Sequence, residues 1–252
     1  MPIRIGGPRQ KVVLATLLLG SNRVVTVDRL VESSWWKEPP PSAAVNIRGH
    51  VAGLRKMLRK AGESVDRLST HSGGYVLEVA PGELDLHLFM NELQSGSDAM
   101  RGGEPERAAG HFVRALQVWK GNPLEGMAVG PALQGELERL EELRLLVIEH
   151  CAQVRLEMGQ SDALVPELRS LTRQHPFRER LWEMLIIALH RMGRQADALA
   201  AYTRVRRTLA DELGIDPSDR LRYLEEQILR GDPDMRVPAV AAQPLVCFPQ
   251  SS

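Results

Sequence analysis

Basic and hydrogen-bonding side chains are concentrated in residues 42–60, a stretch without a single acidic residue. Its polar positions, five of them Lys or Arg, are Asn46, Arg48, His50, Arg55, Lys56, Arg59 and Lys60. A solvated helix usually mixes both signs, because residues four apart then attract each other. An acid-free face therefore indicates an anionic partner such as phosphate. The alternative is an ordinary solvated face, since a run of charge is weak evidence by itself.

A second group of candidate contact residues lies in a predicted β-hairpin. Two β-prone stretches, residues 67–71 and 75–79, are joined by Ser72-Gly73-Gly74, which is typical of a tight turn. We expect His71, Ser72 and the exposed amides of Gly73 and Gly74 at the hairpin tip. A turn that needs positive φ explains the two glycines on its own. Only their position after the basic stretch makes them candidates for ligand contact.

The sequence lacks the motifs of the commonest enzyme and metal sites. No P-loop, no His-Glu-x-x-His, no paired Cys-x-x-Cys and no Gly-x-Ser-x-Gly occurs. Gly6 and Gly7 have neither the spacing nor the preceding strand of a catalytic phosphate loop, so a DNA phosphate resting on the following helix start is the better interpretation. We therefore expect a protein that is not an enzyme and uses neither a cofactor nor a metal.

Three helices and a short strand are expected to position these residues. The first helix covers about residues 8–19, with Pro8 where a helix tolerates a missing N–H. Residues 22–26 form a short segment that ends in three β-branched residues, and Thr26 or Asp28 can cap a second helix. That helix ends before the three prolines at 39–41, which cannot continue it.

The third helix carries the basic face. Ser42 is its expected N-cap, and it runs to about Lys60 with an apolar stripe at Ile47, Val51, Leu54 and Leu58. Helix, short strand, helix, basic helix and hairpin follow the order of a winged helix-turn-helix. In that fold the basic helix enters the major groove, and the hairpin, or wing, touches the minor groove or phosphates.

The 252-residue chain is neutral, with 32 basic and 32 acidic residues, but its charge is unevenly distributed. Residues 1–82 carry 12 Lys or Arg against 6 Asp or Glu, a net charge of +6, and residues 83–252 carry 20 against 26, a net charge of −6. We therefore expect two modules with different partners. Two cysteines, no secretion signal and no long apolar stretch predict a cytoplasmic protein without a membrane anchor.

The acidic part is helical in pattern from about residue 85 to residue 230 and contains an internal repeat. Gly103, Gly159 and Gly193 each lie between two predicted helices and are followed at +5, +9 and +12 by apolar residues. The last two units are 34 residues apart, which is the tetratricopeptide period. Residues 121–134, rich in Gly and Pro, are expected to interrupt the stacking. The last helix is predicted over about 218–229.

Together these motifs resemble the Streptomyces antibiotic regulatory protein family. The matching segments are residues 7–10, 27–31, 36–40, 54–56, 73–75, 83–85, 139–142, 175–181, 192–199 and 211–217. The resemblance implies a mostly α-helical protein with an OmpR-type winged helix and β-hairpin over residues 1–82. It further implies a bacterial transcriptional activation domain of tetratricopeptide-like helices over 83–233, and we expect a disordered tail over 234–252. Relatives have a small sheet before the first helix, which we expect to be truncated or shortened here.

The resemblance also implies a function and a set of contacts. The expected function is activation of a secondary-metabolite gene cluster, by binding direct repeats beside a promoter and recruiting RNA polymerase and its sigma factor. Two copies are expected head to tail on DNA. Asn46, His50 and Gly53 would face base edges, and small residues such as Gly49 would let the helix lie close to the groove. The expected phosphate ligands are Arg48, Arg55, Lys56 and Arg59, and the residues bracing the wing are His71, Ser72, Gly73, Gly74 and Tyr75.

Two other interpretations remain open from the sequence. In one, the helical repeats form a protein–protein adaptor and the basic module merely packs on them; it predicts no retention on promoter DNA at about 150 mM salt. In the other, the protein is a ligand-responsive regulator with a small molecule bound near residues 121–134. Ligand-dependent thermal stability would reveal the second.

Overall fold

The computed structural model describes residues 5–231, where it contains ten α-helices, one 3₁₀ turn and three short strands. The expected short N-terminal sheet and the tail over 234–252 fall on residues 1–4 and 232–252, which lie outside this range. The elements are α1 (Pro8–Leu19), β1 (Val25–Thr26), α2 (Val27–Ser34), α3 (Ala43–Lys60), β2 (Leu68–His71), β3 (Gly74–Leu77), α4 (Asp85–Arg101), α5 (Pro105–Val118), α6 (Pro131–Glu157), α7 (Ser161–Gln174), α8 (Glu179–Arg191), α9 (Gln195–Leu213) and α10 (Asp219–Arg230). The 3₁₀ turn, Val65–Arg67, precedes β2.

The first part of the chain forms the expected winged helix-turn-helix. Ile47, Val51 and Leu54 of the apolar stripe of α3 are buried in one core with side chains of α1, α2 and the sheet, and Leu58 is partly buried against it. Leu17, Leu30 and Leu54 have no exposed surface. Burying one such side chain stabilises a fold by about 1.5–3 kcal/mol. Thr26 caps α2, because its hydroxyl accepts the backbone N–H of Arg29 at 3.2 Å. The core therefore fixes α3 with its apolar stripe inward and its other faces toward solvent.

A three-stranded antiparallel sheet in the order β1-β3-β2 completes the winged helix. β3 ends at Leu77, earlier than the expected residue 79. Beyond it, the side chain of Asn22 replaces a neighbouring strand: its amide donates to the carbonyl of Val79 at 3.0 Å and accepts the Val79 N–H at 2.8 Å. The strand expected over 67–71 also begins one residue later, because Arg67 belongs to the 3₁₀ turn.

The acidic part folds into helical hairpins of the tetratricopeptide type, as the repeat predicts. Gly103, Gly159 and Gly193 each take a left-handed conformation between two helices, with φ of 71°, 77° and 71°. The positions at +5 and +9 are buried in all three units: Ala108, Phe112, Leu164, Leu168, Ala198 and Tyr202. The interruption is shorter than expected, because α6 already begins at Pro131 and only residues 119–130 are outside helices. α10 begins and ends one residue later than predicted.

Polar contacts fasten α10 to α8, whose residues 181–189 are all buried. The carboxylate of Glu183, only 4% exposed, lies 2.7 Å from the guanidinium of Arg180 and 3.4 Å from that of Arg220. The Glu179 carboxylate accepts the backbone N–H of Ser218 at 2.8 Å. A buried charge is tolerated only when it is paired, so these residues fix where α10 begins.

The described chain separates into two compact units. One contains the residues up to Met90 together with Gln117–Arg144, and the other contains Asn91–Leu116 together with the residues from Leu145 onward. This division into compact units does not test the domain boundary that we expect at residue 82, so that boundary stays a prediction. Among the described helices, none has the length and hydropathy that crossing a bilayer demands.

Candidate nucleic-acid interface

The face of α3 that points away from the core carries free cations. Ile47, Val51 and Leu54 are at most 1% exposed and turn the opposite side of the helix to solvent. Arg48 and Lys56 on that side are exposed, as is Arg59. No side chain in the described range forms a hydrogen bond or an ion pair with any of these three cations. Three of the four predicted phosphate ligands are therefore available to an external anion.

Arg55, the fourth predicted phosphate ligand, is half-buried and has partners inside the protein. Its Nε donates to the carbonyl oxygen of Leu68 at 2.7 Å, and its Nη2 donates to the hydroxyl of Thr70 at 2.7 Å. The guanidinium carbon also lies 5.9 Å from the centre of the Tyr75 ring. Arg55 thus ties α3 to β2, and only its Nη1 has no protein acceptor among the described residues.

Two of the predicted base-contacting residues also have contacts within the protein. The amide of Asn46 is exposed and donates to the Ser42 hydroxyl at 3.3 Å, so Ser42 caps no backbone N–H. The ring of His50 is half-buried, with its centre 6.4 Å from that of Trp35. Burial first and the charge of Arg9 second lower the pKa of His50, so the ring is neutral at pH 7. His50 consequently brings no positive charge to this surface.

The third predicted base-contacting residue, Gly53, lies against α1 in a narrow slot. A Cβ atom at Gly53 would be 2.3 Å from the side-chain nitrogen of Gln10, and one at Gly6 would be 2.0 Å from the side-chain oxygen. The same Gln10 nitrogen donates to the carbonyl oxygen of His50 at 3.1 Å. The Gln10 amide therefore joins α1 to α3, and the missing side chain of Gly53 makes room for it.

The wing is only partly as predicted. His71, Ser72 and Gly73 are exposed at the tip, and the left-handed Gly73 (φ 81°) makes the turn. The expectation of an exposed Gly74 is wrong, because Gly74 is buried under β1, where a Cβ would lie 2.2 Å from the carbonyl oxygen of Val25. Tyr75 is only 7% exposed and packs in the core. These two residues hold the wing in place and do not present a side chain at its surface.

An ion pair fixes the segment that follows the wing. The guanidinium of Arg67 donates to both carboxylate oxygens of Glu83, one of them at 2.6 Å, and also pairs with Glu63 at 2.9 Å. The hydrogen bond from Arg67, followed by that from the Ala80 N–H, lowers the pKa of Glu83 to about 2. The pKa of Arg67 is raised in turn. Both groups remain charged at pH 7.

Sequence reasoning missed several residues of this surface. Val45 is 61% exposed on α3, and Arg9 lies with its guanidinium 5.1 Å from the centre of the Trp35 ring. A helical projection of α3 would have identified Val45, because it lies opposite the apolar stripe. No local sequence pattern predicts that Arg9 or Gln10 lies next to this surface. No group of three or more metal-ligating side chains comes together within residues 5–231.

Comparisons with known proteins match most of the chain to transcriptional regulators. The family model of the bacterial transcriptional activator domain matches residues 84–229. The regulatory protein DnrI of Streptomyces peucetius is 38% identical over 246 residues, covering 93% of this chain and 90% of that protein. The regulatory protein AfsR of Streptomyces coelicolor is 40% identical over 229 residues, which are 90% of this chain and 22% of that protein.

A relative of known structure is also a transcriptional regulator. The transcriptional regulatory protein EmbR of Mycobacterium tuberculosis is 39% identical over 235 residues, covering 92% of this chain and 60% of that protein. Its structure in complex with a low-affinity phosphopeptide superposes with a TM-score of 0.87 over 91% of this chain and 61% of the EmbR chain. The chain thus spans less than two thirds of EmbR and about a fifth of AfsR, but nearly all of DnrI.

Proposed function

Because this chain belongs to the Streptomyces antibiotic regulatory protein family of transcriptional activators, we propose that it binds promoter DNA sequence-specifically, with α3 in the major groove. The relatives are transcriptional regulators and not enzymes, which confirms the expectation of a non-enzymatic protein. The observation that carries the DNA-binding proposal is the set of exposed cations on an acid-free helix: Arg48, Lys56 and Arg59.

Phosphate binding follows from the chemistry of these three side chains. A cation that neutralises one DNA phosphate releases condensed counterions, so the logarithm of affinity falls with the logarithm of salt by about 0.9 for each contact. Arg48, Lys56 and Arg59 therefore supply affinity and salt dependence. They carry no sequence information themselves, because phosphates are alike in every sequence.

The family supports a more specific biological role. In our proposal the protein acts in the cytoplasm on a secondary-metabolite gene cluster, where two copies bind head to tail on direct repeats beside the promoter. The promoter-bound copies then recruit RNA polymerase and its sigma factor. Head-to-tail contacts do not close on themselves, so we expect the second copy to associate on DNA more strongly than in solution.

Salt-dependent binding tests the placement of α3. Duplexes that bind the full chain are first selected from a random DNA pool. The affinity of the protein for the tightest-binding duplex is then measured at several salt concentrations. We expect Arg48→Ala to weaken binding and to reduce the salt slope by about 0.9. Arg173→Ala, which removes the same charge from an exposed position on α7, is the matched control and leaves the slope unchanged. Equal slopes for the wild type and Arg48→Ala would contradict the placement.

Two further measurements test the finer parts of the proposal. A gel shift with duplexes carrying one or two copies of the selected site is expected to show cooperative loading only with two copies in direct orientation. Transcription in vitro with purified RNA polymerase is expected to rise when the protein is added to a template with the two sites. Cooperative loading on inverted sites alone would contradict the head-to-tail arrangement.

A further inference from the structure

The outermost line of α3 is apolar where the helix begins. Positions 45, 49, 52 and 56 lie opposite the buried stripe and carry Val45, Gly49, Ala52 and Lys56. Val45 is 61% exposed, and it is the only large apolar side chain of α3 with so much surface in solvent. Gly49 and Ala52 have little or no side chain, so a flat surface pressed against this line would meet Val45 near the start of the helix and Lys56 further along.

The polar side chains expected to contact bases are less available than Val45. The amide of Asn46 already donates to the hydroxyl of Ser42, and the ring of His50 lies against Trp35. Gly53 has no side chain and faces Gln10. Along the line of α3 that lies furthest from the core, Val45 is therefore the only side chain before Lys56 that offers a large exposed surface without a contact.

We infer that Val45 contacts the C5-methyl group of a thymine and thereby selects T at one position of the DNA site; this inference rests on the proposed placement of α3. The thymine methyl is the one apolar group that a base pair presents in the major groove, and it pairs with apolar side chains. Lys56 ends the line, and Arg48 and Arg59 lie along one side of it, where these exposed cations would hold phosphates. Small residues at 49 and 52 leave the helix free to approach closely.

Removing a single methyl group from the DNA tests this contact. In the selected duplex each dT is replaced, one at a time, by deoxyuridine, which lacks only the C5-methyl. Burying one methyl or methylene is worth about a fourfold change in affinity. We therefore expect one or two replacements to raise the Kd of the wild type about fourfold. In Val45→Ala the same replacements should have a smaller effect, because alanine keeps only its Cβ methyl for contact with the thymine.

A control variant and the salt slope separate this contact from other causes. Val24→Ala truncates a valine that is 48% exposed just before β1, and it should leave the uracil pattern of the wild type intact. Val45→Ala should lower affinity without changing the salt slope, because no phosphate contact is lost, whereas Arg48→Ala lowers the slope. Exposed substitutions of this kind leave stability nearly unchanged, so folding does not obscure the result.

The possible results distinguish this inference from the function on which it rests. If a duplex is selected but uracil affects the wild type and Val45→Ala equally, Val45 touches no thymine methyl, and the proposed function stands. The same conclusion follows if no uracil replacement affects the wild type. If no duplex is retained at any salt concentration, the proposed function fails and the inference fails with it.

Discussion

Two glycines of α3 have the same intrinsic effect on the helix but different surroundings, so replacing each by alanine separates packing from propensity. Alanine is favoured over glycine inside a helix by about 0.8–1.0 kcal/mol. No atom lies within 4 Å of the place where a Cβ would be at Gly49. Gly49→Ala should therefore raise the free energy of unfolding by about 1 kcal/mol.

At Gly53 the gain is opposed by a contact. The new Cβ would be 2.3 Å from the side-chain nitrogen of Gln10, so that amide must move and release the carbonyl oxygen of His50. A hydrogen bond of this kind contributes about 1 kcal/mol to stability. Gly6 lies against the other end of the amide and limits its movement. We expect Gly53→Ala to change stability by nearly zero, about 1 kcal/mol less favourably than Gly49→Ala.

Equilibrium denaturation of the full chain, with hydrogen exchange of peptides from α3, measures both substitutions. Repeating them in a Gln10→Ala background supplies the control. Once the amide is gone, Gly53→Ala should gain the same ~1 kcal/mol as Gly49→Ala. If Gly53→Ala already stabilises the otherwise wild-type chain as much as Gly49→Ala does, the Gln10 slot does not constrain α3 and the reasoning is refuted.

Three other substitutions test contacts that hold the fold. Gly74→Ala should destabilise by about 3 kcal/mol in equilibrium unfolding, because its methyl would lie 2.2 Å from the rigid backbone carbonyl of Val25. Glu183→Gln should also destabilise by about 3 kcal/mol, seen as a lower Tm, because it removes the charge of a buried carboxylate that pairs with Arg180 and Arg220. Glu83 has a folded pKa of about 2, below its ordinary 4.5, so its ion pair stabilises the fold above about pH 4.5 and loses that effect as the pH falls towards 2. Glu83→Gln should accordingly flatten the acid limb of stability against pH, and an unchanged limb would exclude this ion pair as its cause.

Local signals were sufficient to predict the order and limits of most elements. The start of α1 at Pro8 and the turn at Gly73 follow from residues with restricted or unusual backbone angles, and these predictions are confirmed. The 34-residue period correctly predicted the turns between helices at Gly159 and Gly193, because each repeat must bury the same positions against its neighbours. Such signals depend on residues close in sequence, which is why one chain suffices to read them.

Contacts between residues distant in sequence could not be predicted in this way. The Gln10 amide meets α3 forty residues later, and Arg55 meets β2 thirteen residues later. Gln and Arg are residue types that are common on protein surfaces, and nothing in the neighbouring sequence shows that these two side chains contact other elements. The burial of Gly74 likewise depends on β1 pairing with β3, a register that no local pattern fixes.

Under the proposed function, this division of contacts has a consequence for how variants of α3 would behave. Arg55 and Gln10 hold the helix in its position, so changing either would shift every side chain on the exposed face at once, and affinity and base preference would change together. Arg48 and Val45 project from a helix that is already held, so each would alter one property alone: salt-dependent affinity in the first case and preference for thymine in the second. A variant of Arg55 that lowered only the salt slope, with base preference intact, would show that its hydrogen bonds to β2 do not position α3.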